Sequence, residues 1–90
     1  MPQVKFTSHL QKFFPGLGTL EVEGQTVAEV VTALDQLYPG LAAYIVDEHG
    51  TLRKHVNIFI GQDLIHDRQT LGDKVSSADR VYVFQALSGG

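Results

Sequence analysis

The chain has 90 residues, a formal net charge of −3 at pH 7 and no cysteine, and 43% of its residues are hydrophobic. This length fits one domain rather than two, and the lack of cysteine excludes thiol nucleophiles, disulfides and thiolate metal ligands. The acidic balance argues against nucleic-acid binding, and no apolar run approaches the roughly 20 residues of a membrane helix. Because residues 1–20 also lack the layout of a signal peptide, we expect a cytoplasmic protein that binds neither nucleic acid nor membrane.

The first predicted elements are two strands. Residues 2–8 alternate between polar side chains and apolar ones such as Val4 and Phe6, which is typical of a half-buried strand. A proline- and glycine-containing turn follows over residues 14–18, and residues 20–22 alternate again. These two strands predict an N-terminal hairpin with a long loop.

One helix is strongly indicated after the hairpin. Thr26 and Glu29 match a capping box, in which the threonine hydroxyl accepts from the N–H of Glu29 and the glutamate carboxylate reaches back to the N–H of Thr26. The apolar stripe at helical spacing consists of Val27, Val30, Val31, Leu34, Leu37 and Tyr38. Pro39 and Gly40 end the helix.

The second half of the chain predicts three strands. The predicted strands lie over residues 56–60, 64–65 (a return strand) and 81–84. Between the helix and the first of these strands we predict a helical turn or irregular apolar stretch over 41–46 and a surface turn over 47–50. A turn over 61–63 and a loop or helical turn over 70–75, which carries Leu71 and Val75 inward, connect the strands. This order lets the first and last strands pair in parallel in the middle of a sheet. We therefore predict an α+β fold, the ubiquitin-like β-grasp, with a mixed sheet of four to five strands packed on one main helix. The domain is expected over residues 1–84, and a flexible C-terminal tail that ends in Gly-Gly over residues 85–90.

With these elements, the chain resembles the MoaD/ThiS family of ubiquitin-like sulfur carrier proteins over nearly its whole length. The resemblance depends on the helix that starts at Thr26, on the strand over 56–60 with its Gly-Gln-Asp turn, and on the ending Ala86-Leu87-Ser88-Gly89-Gly90. Within that family it is most similar to the carriers that serve cysteine or thio-siderophore biosynthesis.

The resemblance implies chemistry at the carboxylate of Gly90. In this family an E1-like adenylyltransferase activates the terminus with ATP and Mg²⁺, and a sulfur donor then converts it to a thiocarboxylate. The thiocarboxylate donates sulfide to a sulfur-acceptor biosynthetic enzyme, in a pathway of the cysteine, siderophore, molybdopterin or thiamine type. The chain would then be a carrier and not an enzyme, and it would bind no cofactor or metal of its own. The sequence leaves open whether a protease matures the tail.

The terminal glycines suit a tail that threads a narrow channel, because side chains would block the approach of an enzyme and glycine accepts positive φ angles. We expect Gly89, Ser88 and Leu87 to contact the partner, with Leu87 as the anchor. At the average glycine usage of about 7%, a terminal pair arises by chance in roughly 0.5% of chains. A functional tail is therefore favoured over an accidental one.

A docking surface for the partner is also predicted. If the alternate residues of the strands over 56–60 and 81–84 face the helix, then Phe59, Tyr82 and Phe84 face solvent on neighbouring strands. Such an exposed aromatic patch leads to the tail and is typical of a partner site. Cross-strand aromatic pairing that only stabilises the sheet is the alternative.

The remaining chemistry-bearing residues form no catalytic pattern. His9, His49, His55 and His66 lack metal-ligand spacing, and the aspartates at 47, 63 and 67 lie in predicted turns, where such side chains bind the backbone. Two other functions stay open: a protein modifier that is conjugated to lysines through Gly90, and a β-grasp binding module without an activated terminus.

Overall fold

The fold is a five-stranded mixed sheet with one long helix across it. The computed structural model describes residues 1–85, except for the side chains of Ser8 and His9. Its elements are β1 (Gln3–Phe6), α1 (Ser8–Gln11), β2 (Thr19–Glu21), α2 (Val27–Leu37), α3 (Ala42–Ile45), β3 (Val56–Ile60), β4 (Asp63–Leu64) and β5 (Arg80–Gln85). The strand order is β2-β1-β5-β3-β4, in which β1 and β5 are parallel and the other neighbours are antiparallel. The predicted α+β arrangement, with the first and last strands paired in parallel, is confirmed.

The core lies between the sheet and α2. Val4 pairs with Val81, and Val83 of β5 pairs with Ile58 of β3, so that these inward side chains meet on one face. All four are almost completely buried, and they form one cluster with the buried residues of α2. Alternation with a period of two therefore fixes which face of each strand is inward.

The start of α2 differs from a standard capping box by one residue. The N–H of Glu29 donates to the Oγ1 of Thr26 at 3.2 Å, as predicted. The carboxylate of Glu29, however, accepts from the N–H of Gln25 at 2.9 Å, so the expected bond to the N–H of Thr26 is wrong. The extended backbone of Thr26 (φ −137°, ψ 163°) places the preceding N–H within reach of the carboxylate. The helix still begins at the predicted position.

The apolar stripe of α2 is shorter than predicted. Val27, Val30, Val31 and Leu34 are buried, but Leu37 is 57% exposed, so its assignment to the core is wrong. Leu37 lines a shallow cavity with Met1 and Glu21, at the edge of the sheet where the three-residue strand β2 is too short to cover it. The helix ends there, before Pro39 and Gly40, and Gly40 has the positive φ of 96° that favours glycine.

The connection between β1 and β2 also differs from expectation. The first strand ends at Phe6 rather than at residue 8, and the single-turn helix α1 follows it. Leu10 of this turn and Leu17 beyond it are buried in the core. The predicted loop is therefore folded back onto the core by its own apolar residues.

The segments after α2 can be compared with what the sequence predicted for residues 41–75. Residues 42–45 form a helical turn, and the Oδ1 of Asp35 accepts from the N–H groups of Gly40 (3.1 Å) and Ala42 (3.0 Å), which joins α3 to α2. Leu71 and Val75 are buried from a loop, as expected. The return strand runs over Asp63–Leu64, one residue earlier than predicted. Among residues 1–85, no helix has the length and apolar character needed to cross a membrane.

Gly24 lies against the first turn of α2. A Cβ at this position would lie 2.7 Å from Cγ2 and 2.8 Å from the backbone N of Val30. We expect Gly24→Ala to lower the free energy of unfolding by about 1–3 kcal/mol, since the backbone must shift to admit the methyl group. Urea denaturation measures the change. Gly18→Ala is the matched control, because a Cβ at residue 18 meets nothing within 4 Å; equal losses from both variants would contradict the prediction.

Candidate functional site

The outward face of the sheet carries an aromatic cluster. Phe59 of β3 pairs with Tyr82 of β5 on one side and with Leu64 of β4 on the other, and Phe84 pairs with Asn57. Since paired residues point to the same face, these side chains lie together on the face opposite α2. We call the group of Phe59, Leu64, Tyr82 and Phe84 the sheet patch.

The rings of the sheet patch are in contact. The centroids of Phe59 and Phe84 are 5.6 Å apart at an interplanar angle of 86°, and those of Tyr82 and Phe84 are 6.4 Å apart at 17°. Both are favourable geometries for aromatic pairs. Phe84 is 44% exposed, whereas Phe59 and Tyr82 are half-buried. The predicted clustering of the three aromatic residues is confirmed; their role in docking stays a prediction.

Sequence reasoning missed Leu64 as a member of the patch. Leu64 is 45% exposed and extends the apolar surface across β4. On the other side Tyr82 pairs with Lys5 of β1, which is exposed and adds a positive charge to the border. The register of a two-residue return strand depends on its turn, so the sequence pattern alone gave no signal for Leu64.

The sheet patch lies next to the start of the tail. Phe84 immediately precedes Gln85, which is the last described residue and belongs to β5, one residue beyond the expected domain boundary. The predicted tail contacts Leu87, Ser88 and Gly89 and the predicted reactive residue Gly90 lie outside the described residues.

The segments around Gln85 hold it through several polar contacts. Its N–H donates to the Oγ1 of Thr7 at 3.5 Å, and its Nε2 lies 3.2 Å from the Nε2 of His55. The guanidinium of Arg68 donates to Oδ1 of Asn57 at 3.1 Å and to the carbonyl of Val56 at 3.0 Å. These bonds tie the start of β3, and with it the end of β5, to the rest of the domain.

The aspartates considered for acid–base chemistry serve the loops. Asp67 accepts from the N–H groups of Gln69, Thr70 and Gly72 and from the Thr70 hydroxyl. The hydroxyl and N–H of Thr70 lower the pKa of Asp67 to about 2. The N–H groups of His49 and Thr51 likewise lower the pKa of Asp47. Both carboxyl groups are ionised at neutral pH and stabilise turns, which agrees with the turn interpretation.

The described histidine, aspartate and glutamate side chains, which exclude that of His9, were the remaining candidates for a metal site. Among these described side chains, no group of three lies close enough together to hold a metal ion. The described residues therefore present an exposed aromatic face next to the end of β5, which leads to the predicted reactive residue Gly90.

Comparison of the sequence with known families decides the assignment. The profile of the ThiS family matches residues 4–90, which is almost the entire chain. The chain belongs to the ThiS family. The resemblance stated from the helix, the strand over 56–60 and the terminal glycines is thereby confirmed. ThiS-family members are small carrier proteins rather than catalytic enzymes.

Solved structures share the fold of this ThiS-family chain. A chain in the crystal structure of the BexX/CysO complex of Amycolatopsis orientalis matches with a TM-score of 0.87 at 22% identity, and both chains are covered completely. CysO of Mycobacterium tuberculosis matches with a TM-score of 0.84 at 21% identity, over 97% of this chain and 100% of that one. SAMP1 of Haloferax volcanii matches with a TM-score of 0.76 at 25% identity, over 98% and 97%. No curated protein matches the chain significantly.

Proposed function

We propose that this ThiS-family chain is a sulfur carrier whose carboxylate on Gly90 is converted to a thiocarboxylate that donates sulfide in a biosynthetic pathway. The observation that carries the proposal is the family match over residues 4–90, which includes the terminal Gly89-Gly90. The CysO structures with the same fold support a carrier of the cysteine type.

The chemistry requires a partner at each step. A carboxylate oxygen of Gly90 attacks the α-phosphorus of ATP, pyrophosphate leaves, and an acyl adenylate forms. A sulfur nucleophile then attacks the acyl carbon, and AMP leaves with the original oxygen. In this proposal an E1-like adenylyltransferase binds the ATP and Mg²⁺, and the carrier supplies the reacting carboxylate and the surface that the enzyme recognises.

We further propose that the sheet patch binds the E1-like enzyme. An exposed apolar cluster on a small domain is typical of an interaction site, and aromatic side chains dominate the binding energy of many interfaces. The patch adjoins the strand end that leads to Gly90, so one enzyme can contact both. Phe84 contributes the largest exposed fraction of the aromatic members, at 44%.

Phe84→Ala is expected to lower kcat/KM for activation by roughly 10- to 100-fold, because an interface anchor of this kind contributes about 1–3 kcal/mol. The free energy of unfolding should change by less than about 1 kcal/mol, since the ring is only partly buried. Phe59→Ser should also weaken activation more than folding. ATP-dependent pyrophosphate release measures activation. Leu37→Ala removes an exposed apolar side chain from α2 on the opposite face, and activation that is equally sensitive to both positions would contradict the docking role.

A second candidate function is conjugation to other proteins through Gly90. The small archaeal modifier protein SAMP1 shares the fold at 25% identity, which favours this candidate over an unactivated binding module. Both functions use the same adenylate, so they differ only in what attacks it. A blot with an antibody against the protein distinguishes them, because a modifier gives conjugates of higher mass and a sulfur carrier does not.

The test of the carrier function is the intact mass of the protein after incubation in host extract with a sulfur source. With ATP, the mass should increase by the difference between sulfur and oxygen; without ATP it should not change. If a known carrier added to the same extract is converted and this protein is not, the carrier function is wrong.

A further inference from the structure

Four separate segments meet at the end of the domain where β5 ends. Gln85 contacts Thr7, just after β1, and His55, just before β3. Two residues before His55, Arg53 donates from its Nε to the carbonyl of Ala43 in α3 at 2.8 Å. The ends of β1 and β5, the segment before β3, and α3 therefore form one continuous surface, which we call the end surface.

Aromatic rings form part of the end surface. Tyr44 of α3 packs on Phe13 with ring centroids 5.4 Å apart, and on Phe14 with centroids 5.3 Å apart at an angle of 89°. Phe13 is 52% exposed and Tyr44 is 36% exposed. Two large aromatic side chains outside the sheet patch are thus presented to solvent.

The end surface is also cationic. It carries Lys12 beside Phe13 and the pair Arg53-Lys54 beside Tyr44, and Lys12 and Lys54 are exposed. Apart from the side chains of Ser8 and His9, which are not described, no residue in the range 1–85 forms an ion pair or hydrogen bond with either lysine side chain. The contributing segments, residues 7–14, 41–46, 52–57 and 82–85, contain none of the ten acidic residues of the chain.

Two acidic residues adjoin the end surface, and both accept hydrogen bonds from backbone N–H groups. Asp35 accepts from the N–H groups of Gly40 and Ala42, and Asp47 accepts from those of His49 and Thr51. Asp47 also interacts electrostatically with Arg53, so Lys12 and Lys54 carry the positive charge that this surface offers to a partner, although the protein as a whole is negative.

The short tail limits how far from the end surface a protein that binds Gly90 can lie. Residues 86–90 span at most about 18 Å when fully extended. Any protein that binds the carbonyl of Gly90 in its own site must therefore bring the rim of that site close to Gln85 and its surroundings.

We propose that the end surface binds acidic side chains on the rim of the partner site that takes up Gly90. The proposal rests on the proposed function, and it adds a second contact to that of the sheet patch. Charge complementarity of this kind raises association rates and orients the two proteins. Because the rest of the carrier is acidic, the attraction between the end surface and the acidic partner favours encounters in which the tail faces the partner.

The test uses the full chain and the purified E1-like adenylyltransferase of the same host. Lys54→Glu and Lys12→Glu are each expected to lower kcat/KM for adenylation roughly tenfold at low ionic strength, with kcat unchanged. The differences should disappear at roughly 0.5 M salt, where charges more than a few ångströms apart are screened. Lys74→Glu is the matched control, because Lys74 is also exposed and lies beside Thr26 at the opposite end of the domain.

The outcomes separate this inference from the carrier function. If wild-type protein is adenylated and all three variants behave alike, the end surface has no docking role and the carrier function stands. If wild-type protein is not adenylated, the carrier function and the docking role of the end surface are both wrong. If sedimentation shows a wild-type dimer that Lys54→Glu dissociates, a second copy of the chain occupies the surface and the proposal is overturned.

Discussion

Deletion of Gly90 alone is expected to abolish the gain of sulfur completely while leaving the domain folded. The reacting carbonyl moves back by one residue, or about 3.5 Å, and a misplacement of about 1 Å can already cost 100-fold in rate. The shortened chain should therefore fail in the enzyme even though it still ends in glycine. Intact mass after incubation with ATP, the activating enzyme and a sulfur source measures the result.

A chain extended by one alanine beyond Gly90 is the matched control for tail length. It retains both glycines and should be equally inert with purified activating enzyme. If host extract converts the extended chain but the purified enzyme does not, a protease in the extract matures the tail. Conversion of the chain lacking Gly90 at the wild-type rate would show that the reacting group lies elsewhere.

Leu34→Ala is expected to produce the largest loss of stability, about 2–5 kcal/mol, because truncation of a fully buried leucine combines lost transfer energy with a cavity. Leu34 is completely buried between α2 and the sheet. A domain of this size has only about 5–15 kcal/mol in total, so the variant should unfold at a much lower urea concentration.

The control for this prediction is Leu37→Ala, one helical turn further along α2. It makes the same chemical change at a position that is 57% exposed, and it should alter the free energy of unfolding by less than about 0.5 kcal/mol. Similar losses at residues 34 and 37 would contradict the role of burial, because alanine has a higher helix propensity than leucine and propensity gives no loss at either position.

The main elements could be predicted because local patterns and tertiary packing agree there. The strand over 56–60 has aliphatic residues at every second position, and of these Val56 and Ile58 are buried on the inward face of β3. The start of α2 followed from the Thr26 side chain, whose bond forms within one turn. What could not be predicted was where the sheet stops, and this is why Leu37 was assigned to the core.

The sheet patch and the end surface also differ in how far the sequence could predict them. The sheet patch could be predicted in outline, because Phe59, Tyr82 and Phe84 follow a period of two on two strands whose pairing the fold implies. The end surface could not, because Lys12, Tyr44 and Lys54 belong to segments far apart in the chain and meet only through α1 and α3. Neither short helix has a sequence pattern long enough to place it.

The position of β5 has a mechanical consequence if, as proposed, the tail enters a site on a partner. β5 is bonded along one side to β1 and along the other to β3. A pull on the chain beyond Gln85 therefore acts in shear on both ladders together, and it cannot peel the strand from a free edge. Release of β5 would open the centre of the sheet, at nearly the cost of global unfolding. Tension on the terminus must therefore break two hydrogen-bonded ladders before β5 comes free.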